Sequence, residues 1–175
     1  MEFLSALKER IPDYAKDVRL NLDGVIARSS LEAADALGAA LAAAYAAKSK
    51  TIVDAIRGSG QLSELDTSAA LSAAALMGMN NVWYPYVEMA NDEDLRTQRA
   101  ELRMNAYATH GGVDKTRFEL FSLAASIVGK CHFCVTSHYK LLKENGMTAQ
   151  QLRDVGRIAA VITAAANALA AEGER

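Results

Sequence analysis

Residues 129–140 read GKCHFCVTSHYK, and three of them have the types and spacing to do chemistry. Cys131 and Cys134 are the chain's 2 cysteines, and His138 follows four residues after the second. If a helix starts here, its free N–H groups and dipole favour a thiolate, the form that attacks peroxides and disulfides. The three-residue spacing puts both sulfurs on one side of the first turn, near enough to close a disulfide. At about 100° per residue, Cys134 and His138 share a face one turn apart, so His138 can exchange a proton with Cys134. Cys131 is two turns from His138. Cys134 is therefore the expected attacking sulfur, and Cys131 resolves the oxidised product. Glu119 belongs to the preceding segment. If that helix returns antiparallel across the Gly129-Lys130 turn, its carboxylate faces His138 and a Cys–His–Glu relay results.

Other readings of these residues stay open. Cys131, Cys134 and His138, with His132 or His110 as a fourth ligand, describe a zinc knuckle in a non-enzymatic helical module, although structural zinc sites usually pair two such knuckles. Incidental packing is the third reading. The motif is not C-x-x-C-H, which excludes c-type haem attachment, and no βαβ pattern surrounds it, which excludes a thioredoxin-like setting. Met77, Met79 and Met89 read as core packing. Trp83, Tyr84 and Tyr86 read as core or interface. Arg96, Arg99 and Arg103 read as a helix face, either solvated or paired with Glu93 and Glu101.

The elements that must position the site are helices. The chain has 175 residues, of which 51% are hydrophobic and 23% charged, with a net charge of −2. Those values describe one soluble globular domain over 1–175, with no basic footprint for nucleic acid and no polybasic membrane patch. Charges at Glu2, Lys8, Glu9 and Arg10 argue against a signal peptide. The longest apolar stretch, 39–47, is too short to span a membrane. A cytoplasmic location is expected, where a CxxC is redox-active or metal-binding rather than a structural staple.

No β-branched run alternates with polar residues, so the fold is expected to be all-α. Helices are expected over 2–10, 13–27, 50–57, 93–108 and 131–144, and from Asp114 to Gly129. A capping box at Ser29 and Glu32 opens an Ala-rich helix to about Ala47. Another helix runs from Thr67 to about Val82 and ends before Pro85. Asn145-Gly146 stops the CxxC helix, and a second capping box, Thr148 with Gln151, opens the last helix to about Ala171. Two Ala-rich helices, 36–47 and 149–171, read as core or subunit-interface helices, so oligomerisation is expected.

A weak internal repeat joins 36–56 to 119–139 at an offset of 83, giving a degenerate unit over about 29–84 and an active one over about 114–171. In that alignment Glu119, Cys131, Cys134 and His138 face Ala36, Lys48, Thr51 and Ala55. The polar set stands in the second copy alone, which points to chemistry there.

The stretches IPDYAKDVRLNL (11–22), AAALMGMNNVWY (73–84), LRMNAYA (102–108) and FELFSLAASIVGKCHFCVTSH (118–138) make the chain one that resembles the alkyl hydroperoxide reductase D (AhpD-like) family, within the carboxymuconolactone decarboxylase-like fold. The resemblance covers nearly the whole chain. It implies an antioxidant disulfide oxidoreductase with weak direct peroxidase activity and no bound cofactor. It implies reduction of the peroxiredoxin AhpC, with electrons from dihydrolipoyl groups on the acyltransferase of a 2-oxoacid dehydrogenase complex. It implies a homotrimer, a redox disulfide between Cys131 and Cys134, and a relay of Glu119 and His138. The chain departs from the family pattern at Phe133, where a histidine is expected. The histidine here is His132, given a minor role, and Phe133 becomes an apolar contact for a lipoyl arm or partner.

Overall fold

Regular structure in the computed structural model, which describes residues 2–173, is helical throughout. In chain order α1 spans Glu2–Arg10, α2 Lys16–Ile26, α3 Ala33–Ala46, α4 Lys50–Gly58, α5 Glu64–Ala90, α6 Glu93–Thr97, α7 Asn105–Ala108, α8 Lys115–Gly129, α9 His132–Glu144 and α10 Ala149–Ala171. Single 3-10 turns cover Asp13–Ala15 and His110–Gly112. The expected all-α class is what the chain adopts.

Helix α3 is the centre. Its residues from Ala36 to Ala44 are buried, and it packs on α5, α8 and α10. Alanine lets these backbones approach closely and loses no side-chain entropy in a helix. Gly38 marks the tightest approach: a Cβ there would lie 2.2 Å from Cε1 of Phe121 on α8. At the start of α8, Asp114 accepts from the Arg117 N–H, as expected of an N-cap. The Arg117 guanidinium pairs with Asp35 at 2.7 Å and Asp66 at 3.0 Å, tying α8 to α3 and α5. The Thr148–Gln151 capping box opens α10, and Gly146, at φ 90°, follows the end of α9.

Several elements differ from expectation, each for a physical reason. The Ser29 capping box does not form. Helix α3 starts at Ala33, Ser29 Oγ accepts from the Leu31 N–H, and Ser30 donates its N–H and hydroxyl to Asp154 Oδ2 at 2.9 and 2.7 Å. A partner 124 residues away has taken the local cap's place. Helix α5 does not end before Pro85 but runs on to Ala90. Proline removes one N–H from a long ladder. The far half is held by side chains: Tyr84 stacks on Phe133, and Trp83 packs against Tyr86 with ring centroids 5.9 Å apart.

Residues 93–108 form two short helices, not one. Glu101 sits at φ 51°, a left-handed conformation that cannot continue a helix. Arg96, Arg99 and Arg103 therefore share no helix face, although Arg96 does pair with Glu93. Met77 is in the core as expected, whereas Met89 is 78% exposed. Helix α10 is long and apolar enough to cross a membrane by length and composition, but half of its most apolar window is buried inside the fold.

The turns α3–α4 and α8–α9 have the same build. Lys48 and Lys130 take left-handed φ of 61° and 54°. Ser49 and Cys131 then take an extended conformation and cap the next helix, each accepting the N–H three residues on, from Ile52 and Cys134. These turns register the two segments 82 residues apart, one less than the sequence alignment. Glu119, Cys134 and His138 thus correspond to Leu37, Ile52 and Ile56.

Candidate active site

The site forms where α8 turns into α9 beside the middle of α5. The Cys131 N–H bonds back to the Ser126 carbonyl at 3.3 Å, and left-handed Lys130 reverses the chain. Gly129 is required by a close approach: a Cβ there would sit 2.1 Å from Asn81 Nδ2, which donates to the Ala125 carbonyl at 3.2 Å. This contact sets α5 against the end of α8. Helices α8 and α9 then pack together, and Glu119 faces His138 as the spacing predicts.

Cys131 and Cys134 form a disulfide, with Cα atoms 5.3 Å apart. Cys131 has no exposed surface, and its sulfur caps α9 by accepting the Cys134 N–H at 3.2 Å. Cys134 lines a cleft of about 250 Å³ together with Asn80, Tyr84, Tyr107, Phe133 and His138. Both cysteines are buried, at 0% and 3% exposed, and of the two only Cys134 lines the cleft.

Behind the cleft lies a buried polar chain. His138 Nδ1 is 2.5 Å from Glu119 Oε2, and the Tyr107 hydroxyl donates to Glu119 Oε1. Glu119 has no exposed surface. Burial alone would push its carboxyl up, but the hydrogen bonds from His138 and Tyr107, with the His138 charge, hold it below the ordinary carboxylate range. The Tyr107 phenol is pushed up by burial first, then by its bond to Glu119 and that group's charge. Tyr107 thus stays a protonated donor and Glu119 an ionised acceptor, with His138 Nδ1 the ring nitrogen that faces the carboxylate. Nε2 lies 3.2 Å from Met77 Sδ. Among the described residues no hydrogen bond joins the ring to either sulfur, although His138 and Cys134 share the cleft.

His132 is not part of this chain of contacts. It is turned outward, 82% exposed, with Nδ1 3.5 Å from Glu88. His110 lies in the 3-10 turn against Phe118. Neither approaches the cysteines as a fourth ligand would, and among the described residues no group of three His, Cys, Asp or Glu is placed to hold a metal. Tyr84, read as core or interface, instead stacks on Phe133 at 4.2 Å and lines the cleft. Tyr107 and Met77 escaped the sequence reading as site residues. Tyr107 follows an irregular segment whose path no periodicity reveals, and Met77 looks like any core methionine at helical spacing.

An all-helical domain whose CxxC disulfide abuts a buried histidine–carboxylate pair defines the class to which this chain belongs. The comparisons narrow it. Residues 93–173 match the model of the carboxymuconolactone decarboxylase family. An alkyl hydroperoxide reductase AhpD of Rhodospirillum centenum is 45% identical over 97% of this chain and 91% of that relative. Proteins of the same name from a Bradyrhizobium species and Maricaulis maris are 42% and 40% identical over 96% and 97% of this chain, covering 93% and 98% of those relatives. The chain belongs to the alkyl hydroperoxide reductase AhpD family.

Proposed function

We propose that this protein reduces organic hydroperoxides through its CxxC pair. The observation that carries the reading is the cleft in which Cys134 meets His138, with Glu119 fixed behind the ring. In the reduced protein the Cys134 thiolate attacks a peroxide oxygen. An S–O bond forms, the O–O bond breaks, and the alcohol leaves with a proton supplied through His138. The Cys131 thiol then attacks the Cys134 sulfenic acid, its proton passing to the departing hydroxyl, so that the disulfide closes and water leaves. His138 is the proton carrier, and Glu119 holds its tautomer and steadies its charged form. The minor role expected of His132 has no support in its outward placement.

A dihydrolipoyl group on the acyltransferase of a 2-oxoacid dehydrogenase complex returns the electrons. One of its thiolates attacks the cleft-lining Cys134 sulfur and Cys131 leaves. The second lipoyl thiolate closes its own ring disulfide and releases Cys134. The same exchange, run from the reduced CxxC onto an oxidised peroxiredoxin AhpC, regenerates that partner. The protein works in the cytoplasm as a homotrimer without a bound cofactor. The segments 29–84 and 114–171 are copies of one unit, and only the second carries the chemistry. The names and extent of similarity of the relatives support the family part of this reading.

The test is turnover. Dihydrolipoamide-reduced protein is expected to lose two titratable thiols on one equivalent of cumene hydroperoxide and to regain them with fresh dihydrolipoamide. Thiols that persist through excess peroxide would overturn the proposal.

A further inference from the structure

The cleft that holds Cys134 is small. At about 250 Å³ it falls below the range of roughly 300–1,000 Å³ usual for sites that enclose a whole organic ligand. It accommodates the reacting group and little of what that group is attached to. Beside it lies a second groove of about 630 Å³, between the C-terminal half of α5 and the first turn of α9. Tyr84 and Phe133 line both spaces. Their stacked rings, 4.2 Å apart, stand between the two, and Phe133 is 54% exposed.

The chemistry of the groove says what it takes. Trp83, Val87 and the two shared rings supply apolar surface. Of the charged groups that line it, Arg96 bonds to Glu93 and Asn91, and the Glu88 carboxylate is turned to the outward His132 ring 3.5 Å away, 58% exposed at the groove's rim. It therefore suits an uncharged aliphatic chain rather than an ionic headgroup.

We propose that the groove lined by Trp83, Val87, Phe133 and Thr136 is a subsite for the aliphatic chain that carries the reacting group to Cys134. This rests on the peroxide-reducing reading above and names its substrate class: chains long enough to cross Phe133. Two molecules offer that chemistry, the alkyl tail of a hydroperoxide and the acyl tail of a lipoyl dithiol. Phe133 and Thr136 become specificity-determining residues.

Trp83 is the chain's one tryptophan and lines the groove, so the protein carries its own reporter. The disulfide form of the full chain is titrated with the redox-inert probes hexanamide and decanamide while Trp83 emission is followed. A saturable change is expected, with decanamide binding more tightly, by up to about fourfold per buried methylene. Thr136→Phe, an exposed position filled with bulk, should weaken decanamide at least fivefold. No saturable change, equal affinity for both amides, or indifference to Thr136→Phe overturns the subsite. In turnover, Thr136→Phe should raise the KM of decyl hydroperoxide if the oxidant's tail sits there, or of dihydrolipoamide if the reductant's does. If neither KM moves, the proposal falls. A clear Trp83 response without any peroxide turnover would keep the subsite and remove the proposed activity.

Discussion

Replacing Glu119 by glutamine changes one atom and one charge at the back of the site. The carboxylate accepts from His138 Nδ1 at 2.5 Å and from the Tyr107 hydroxyl, in a place water does not reach. An amide of the same shape can keep one of these bonds but cannot offset a positive ring. In the proposed cycle the ring is charged once it has taken a proton from Cys134 and until it passes one to the leaving group. A hydrogen bond to a charged group contributes about 1.5–3 kcal/mol. At about 1.36 kcal/mol per tenfold, losing it in the transition state slows turnover roughly 10- to 150-fold. Tyr107→Phe leaves the charge and removes only a neutral donor, so a smaller loss of roughly 2- to 10-fold is expected. His138→Phe removes the carrier itself and should cost about 10²–10⁴. The assay is single turnover of pre-reduced protein with cumene hydroperoxide, by stopped flow, across pH 5–9. Stability gives an independent readout. The folded carboxyl of Glu119 is held below its ordinary value of 4.5, so its contribution is present above that pH and is lost as pH falls through the lower folded value. The melting-temperature gap between wild type and Glu119→Gln should therefore close in acid below about pH 4.5. A well-folded Glu119→Gln protein turning over within twofold of wild type would refute the relay.

Only Cys134 lines the cleft: Cys131→Ser should trap a mixed disulfide or a sulfenic acid at Cys134, and Cys134→Ser should trap neither, as read by intact-protein mass spectrometry; the reverse pattern would make Cys131 the attacking sulfur. Gly38→Ala forces a methyl against the Phe121 ring, and overpacking of about 1–3 kcal/mol exceeds the helix gain of about 1 kcal/mol, so a calorimetric melt should fall by several degrees rather than rise. Burial would raise the Asp154 carboxyl, but the Ser30 N–H and hydroxyl, then Arg153 and Arg157, hold it well below the carboxylate range. Its contribution is present above its ordinary value of 3.8 and lost as pH falls through the folded value. Asp154→Asn should thus melt about 3–12 °C lower at pH 7, with the difference shrinking below pH 3.8.

Local signals carried most of the helices and the CxxC turn into view. Asp114, Thr148 with Gln151, and Asn145-Gly146 act through bonds to residues within a turn of themselves, so their types alone announce them. The pairing of Glu119 with His138 was legible because a short turn between two helices leaves little choice but an antiparallel return. What stayed hidden depends on distant partners. Ser29 and Ser30 look like a cap until Asp154 arrives from α10. Pro85 looks like a stop until Phe133 stacks beside Tyr84. Tyr107 becomes a site residue only because the break at Glu101 carries the chain back over α8.

The matching turns at Lys48-Ser49 and Lys130-Cys131 carry a lesson for anyone who wants this scaffold without its chemistry. Where one turn is flanked by Glu119, Cys134 and His138, the other is flanked by Leu37, Ile52 and Ile56, each 1% exposed. The two turns thus carry a polar filling and an apolar filling of one backbone form. Buried ionic pairs exchanged for well-packed apolar residues are often neutral or stabilising by about 1–4 kcal/mol. Copying the apolar filling across, as Glu119→Leu with His138→Ile, should give a protein that melts no lower than the natural one and turns over about 10²–10⁴ more slowly. The apolar socket in turn is the place to try installing a second reactive centre.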